Sequence, residues 1–85
     1  MTPSLLAAVL DGRVVVLDTH QARVILLDPE NERIWRACSG RVTDEIAAGL
    51  GRSSTEIAGA LQNLAEAGLV TSEGPKWTQV PVTWV

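Results

Sequence analysis

Phenylalanine and tyrosine are missing from this chain, and only three tryptophans are present, so a hydrophobic core has to be assembled from Leu, Val, Ile and Ala. Cysteine occurs once, at Cys38, which excludes an intramolecular disulfide and any cysteine-rich metal site and fits a reducing cytoplasm. Histidine also occurs once, at His20. Positive charge is scarce: seven Lys and Arg against ten Asp and Glu give a formal net charge of −3. That is the wrong sign for a chain whose main partner is a polyphosphate backbone. Long hydrophobic runs are lacking as well. The apolar stretch Leu5–Leu10 is too short for a signal-peptide core or a membrane span, has no basic region before it, and is closed by Asp11, Gly12 and Arg13. The expectation is a cytoplasmic chain with no membrane role.

What is present is the composition of an ordinary globular protein, with 46% hydrophobic and 20% charged residues. At 85 residues a single domain spanning 1–85 is expected. A domain of this size buries only about 60 to 65% of its unfolded surface and gains stability from a bound partner.

The first third alternates apolar runs with turn chemistry: residues 5–10, Asp11-Gly12, 14–17, the polar segment 18–21, and 22–27. Asp-Gly between two apolar runs is a strong hairpin signal, because both residues tolerate the positive φ of a type I′ turn. With a second short connection, the spacing predicts a three-stranded antiparallel meander over 5–27 whose third strand lies at an edge. From Asp28 the period becomes helical. Asp28 caps a helix, Pro29 suits its first turn, Ile34, Trp35 and Cys38 recur at helical spacing, and Gly40 ends it. Thr43, Asp44 and Glu45 open a short second helix carrying Ile46, Ala47 and Leu50. Ser53 and Glu56 form a capping box ahead of Ile57, Leu61 and Leu64 in a third helix that closes at Gly68. Three helices thus occupy 28–68. The remainder, 69–85, reads as a C-terminal extension in which Val80, Val82 and Trp84 alternate, with Pro81 restricting any strand there to an edge.

Catalytic chemistry has little to work with. One turn histidine and one thiol on an apolar helical face supply neither a nucleophile with an orienting base nor a set of metal ligands. Glu30 with Glu32 and Asp44 with Glu45 sit in first turns, where they complement the helix dipole. No enzyme, no cofactor and no metal is the expectation. The second and third helices have the spacing of a helix-turn-helix pair, yet residues 53–68 contain no Lys or Arg, and a recognition helix needs such side chains. Arg41 and Arg52 are the only local support for DNA, so no nucleic acid is expected as partner.

The third strand stands out, because Val24, Ile25, Leu26 and Leu27 are apolar on both faces while the meander leaves its edge unpaired. One face can pack on the helices; either residues 77–84 of the tail cover the other, or another peptide pairs with the edge and buries side chains between it and the third helix.

The order of these segments resembles one family, the PqqD-like precursor-peptide recognition elements. The residues that carry the likeness are Gly12 to Asp18 by way of Arg13 and Val14, then Ala22-Arg23-Val24-Ile25-Leu26-Leu27-Asp28-Pro29, Ile34-Trp35, Gly40, Ile46-Ala47, and Leu64-Ala65-Glu66-Ala67-Gly68-Leu69-Val70. The likeness covers roughly residues 8–71, and family members usually carry Asn where this chain has Asp28. The resemblance implies an α+β fold, a winged helix-turn-helix with a three-stranded antiparallel N-terminal sheet packed on a three-helix bundle. It implies a peptide chaperone that takes the leader of a ribosomally made precursor as an added strand between strand three and helix three. Arg23, Val24, Ile25 and Leu26 would then pair with the leader, and Ile57, Ala60, Leu61 and Leu64 would line the groove. The partners implied are the leader and the leader protease or modifying enzyme of the same pathway, with lasso peptide biosynthesis the leading choice. Two other readings stay open: a winged-helix DNA-binding regulator, and a small subunit that associates with itself, a monomer that dimerises by swapping its tail or edge strand.

Overall fold

The computed structural model describes residues 5–85 and is α+β, with three helices and mostly antiparallel strands. Its residues fall into two compact units, 5–32 with Pro81–Val85 in the first and Arg33–Val80 in the second.

The first unit is built on β1 (Leu5–Leu10), β2 (Arg13–Asp18) and β3 (Arg23–Leu27), an antiparallel meander as the turn chemistry predicts. Asp11 and Gly12 both adopt positive φ, 52° and 76°, so the first turn is of the I′ kind that matches strand twist. The second turn is held by Asp18, whose Oδ1 accepts from the backbone N–H groups of His20 at 3.0 Å and Gln21 at 3.2 Å. Its other oxygen faces the Arg23 guanidinium at 3.6 Å. Leu5, Ala7, Val14, Val16 and Leu27 are buried, the two-residue alternation of a sheet with one covered face.

The end of the tail pairs with β1 and not with β3. Residues Thr83–Trp84 form β7, which joins β1 in parallel and gives the order β3-β2-β1-β7. The backbone N–H of Val85 extends this pairing by donating to the Ala7 carbonyl at 2.8 Å. Of the tail residues expected over β3, Thr83 and Trp84 are placed otherwise: they take the opposite edge of the sheet, and Pro81 lies outside any strand.

Helix α1 (Pro29–Ala37) starts as expected, with Asp28 Oδ1 accepting from the Asn31 N–H at 2.7 Å. It ends before Gly40, however, because Ser39–Val42 form a strand, β4, absent from the sequence reading. Gly40 has φ 76° where the pairing register shifts between Ser39 and Arg41. A glycine in the left-handed region serves a bulge as well as a helix end, and here the pairing wins.

The second unit continues with α2 (Thr43–Leu50), α3 (Ser54–Glu66), β5 (Val70–Glu73) and β6 (Lys76–Gln79), the strands forming an antiparallel sheet in the order β4-β6-β5. Val42, with no side-chain acceptor, occupies the N-cap of α2, and Glu45 Oε1 reaches back to the Val42 N–H at 3.3 Å. The Thr43 hydroxyl instead accepts from Trp77 Nε1 at 3.1 Å. Ser53 caps α3 as predicted, its Oγ accepting from the Glu56 N–H at 3.2 Å. Both α2 and α3 end in Schellman closures, with Arg52 N–H on the Ala47 carbonyl and Leu69 N–H on the Leu64 carbonyl. Ile34, Trp35, Cys38, Ile46, Ala47, Ile57, Leu61, Leu64, Leu69 and Val70 are buried. Trp35 Nε1 is satisfied by the Leu69 carbonyl at 3.1 Å, as a buried indole requires.

Candidate functional site

The register of the first sheet decides which backbone groups of β3 face outward. In the Asp11-Gly12 turn the flanking residues Leu10 and Arg13 are paired, and a tight turn places the hydrogen bonds between those two. Bonded and non-bonded pairs alternate along an antiparallel ladder. Arg13, Val15 and Leu17 therefore turn their N–H and C=O groups to β1, while Val14, Val16 and Asp18 turn theirs to Leu27, Ile25 and Arg23 of β3. The groups of Val24 and Leu26 point away from the sheet. Among the described residues no strand pairs with β3 on that side.

The side chains of the same two residues are the open ones. Val24 is 70% and Leu26 58% exposed, whereas Ile25 is half-buried and Leu27 buried. The pairings set two rows across the sheet, Leu6–Leu17–Val24 and Ala8–Val15–Leu26, with Leu10 beside Arg13 beyond them. Every residue in the two rows is aliphatic and at least partly exposed, and Arg13 is the one charged strand residue on this face. An apolar edge strand that continues into an open apolar face is the surface a monomer ordinarily blunts with charge.

The other positions singled out by sequence are placed as follows. Of the four β3 candidates, Val24 and Leu26 present main-chain groups outward, and Arg23 and Ile25 present theirs to β2. On α3, Ile57, Leu61 and Leu64 are fully packed in the second unit, and the small Ala60 is half-buried. The exposed positions of α3 are Ser54, Thr55, Glu56, Ala58, Gly59, Gln62, Asn63 and Glu66, none of them basic. Arg52, just before the helix, faces Glu56 at 3.8 Å.

Cys38 is buried, its Sγ donating to the Ile34 carbonyl at 3.2 Å. Burial pushes the thiol up from 9.0 to about 11, so it carries no thiolate at neutral pH. His20 lies exposed in the second turn. Asp44 accepts from the Ser54 hydroxyl at 2.6 Å, a tie between α2 and α3. Among the described residues no three His, Cys, Asp or Glu side chains gather as metal ligands, and no helix is long and apolar enough to cross a membrane.

Compared with family models, curated proteins and solved structures, the chain matches none. What the sequence reading missed was the breadth of the open face, although the signal was there: β1 and β3 carry almost no polar residue at either parity of the alternation.

Proposed function

We propose that this chain is a non-catalytic peptide chaperone that holds the leader of a ribosomally synthesised precursor by strand addition at β3 and presents it to a processing enzyme. The observation that carries the reading is the outer edge of β3, where Val24 and Leu26 offer backbone donors and acceptors beside exposed aliphatic side chains. Strand addition uses such an edge for placement and alternate side chains for choice. Each added hydrogen bond contributes about 0.5 to 1.5 kcal/mol net. Two or three buried leader side chains, at about 1.5 to 3 kcal/mol each, would supply most of the affinity.

The second unit supports the same family reading. Its order of helix, strand, helix, helix and two strands, with the sheet β4-β6-β5, is compatible with a winged helix-turn-helix, and the residues quoted above resemble PqqD-like recognition elements. A DNA-binding role is disfavoured by the acidic and neutral surface of α3. Lasso peptide biosynthesis is the leading choice of pathway for such a recognition chain, and a separate leader protease would there be the partner.

The test is fluorescence polarisation of labelled leader peptides from the precursor encoded beside this gene, titrated with the full chain. Saturable binding at or below micromolar concentration is expected. Failure to bind any neighbouring precursor overturns the reading.

A further inference from the structure

Resting on strand addition at β3, we infer that the bound peptide carries uncharged aliphatic or aromatic residues at two positions, i and i+2, whose side chains lie on the open face of the first sheet beside Val24 and Leu26.

The inference follows from which residues own the outward backbone groups. A peptide residue placed directly opposite Val24 has its side chain on the same face as Val24, and so does the one opposite Leu26, whichever way the added strand runs. The residue between them turns to the other face, beside Ile25. The peptide's i and i+2 side chains thus become the next members of the rows Leu6–Leu17–Val24 and Ala8–Val15–Leu26. Both rows are aliphatic throughout, and the nearest charge on that face, Arg13, pairs with Leu10 on the far side of Leu26's row. A carboxylate or ammonium at i or i+2 would lose water against these side chains and find no partner there.

Apolar side chains at the same places would cover Val24 and Leu26, which no described segment of the chain covers. The site therefore selects by side chain on its outer face as well as accepting any extended backbone. The ligand class is an extended segment with apolar residues at alternate positions.

Peptide display from a random 12-residue library against the full chain, and against two variants, tests this. Val24→Pro removes one outward N–H and examines strand addition itself. The double variant V24S/L26S keeps every outward backbone group and removes the apolar side chains. Both positions are exposed, and circular dichroism with a thermal melt verifies the fold of each variant.

The expected result is enrichment of apolar residues at i and i+2 by the unaltered chain. Binding of the selected peptides should weaken tenfold or more with V24S/L26S, and Asp at either peptide position should cause a comparable loss. Selected peptides that bind V24S/L26S within twofold of the unaltered chain, yet are lost with Val24→Pro, would overturn the side-chain rule and leave strand addition standing. No enriched peptide at all, or a protein that occupies its own edge as a dimer in light scattering, would overturn both.

Discussion

At Cys38 a small apolar environment decides the chemistry. The thiol is enclosed, donates to a helical carbonyl, and is raised to about 11 by burial. The native chain should resist alkylation by iodoacetamide at pH 8 and react only on addition of denaturant; rapid native labelling would contradict the buried placement. The same shift has a stability consequence. Below the unfolded value of 9.0 both states hold the proton and nothing is lost. As pH rises from 9.0 toward 11 the unfolded chain ionises first, and stability falls by on the order of 2 kcal/mol. Urea titrations at pH 8 and pH 11, compared with Cys38→Ala, isolate this contribution. Asp18 is the other residue on which local structure turns, since one carboxylate serves two backbone donors and faces Arg23. Asp18→Ala should cost about 1 to 3 kcal/mol by orphaning those donors, whereas Asp18→Asn, which keeps an acceptor, should cost less in the same denaturation experiment.

Among the elements, β3 and β7 occupy the two edges of one sheet and have opposite fates. β7 is a two-residue strand that covers β1; among the described residues no strand covers the outer edge of β3. Removing Pro81–Val85 should therefore lower the melting temperature while changing peptide affinity by less than twofold. A marked tightening would mean that the tail competes for the edge of β3. The hairpin, the cap at Asp28 and the third helix were legible in the sequence, because Asp11-Gly12, Asp28-Pro29 and Ser53 with Glu56 each solve a local hydrogen-bonding or dihedral problem. β4 was not legible. Gly40 satisfies a helix end and a bulge equally, and only pairing with Thr78 and Trp77 of β6 chooses between them. Thr43 opens α2 as its position suggests, but only the tertiary structure gives its hydroxyl to Trp77.

Over the whole molecule, a net charge of −3 and an α3 surface without Lys or Arg support the proposed peptide partner over nucleic acid. Affinity for a leader peptide should change less than about threefold between 50 and 300 mM salt, because no run of phosphates is neutralised and no counterion atmosphere is released. A steep linear loss in a log–log plot would restore the DNA reading. The sequence by itself determined the α+β class, the meander, three helices, the edge position of β3, and the poverty of nucleophiles and ligands. These follow from residue type, period and turn chemistry, which act over a few neighbours. The tertiary structure alone decided where the tail goes, that Ser39–Val42 pair with β6, and that Val24 and Leu26, rather than Arg23 and Ile25, turn both backbone and side chain to solvent. Those outcomes depend on register between segments far apart in the chain, and a one-residue change of register would exchange the two faces without altering any local signal.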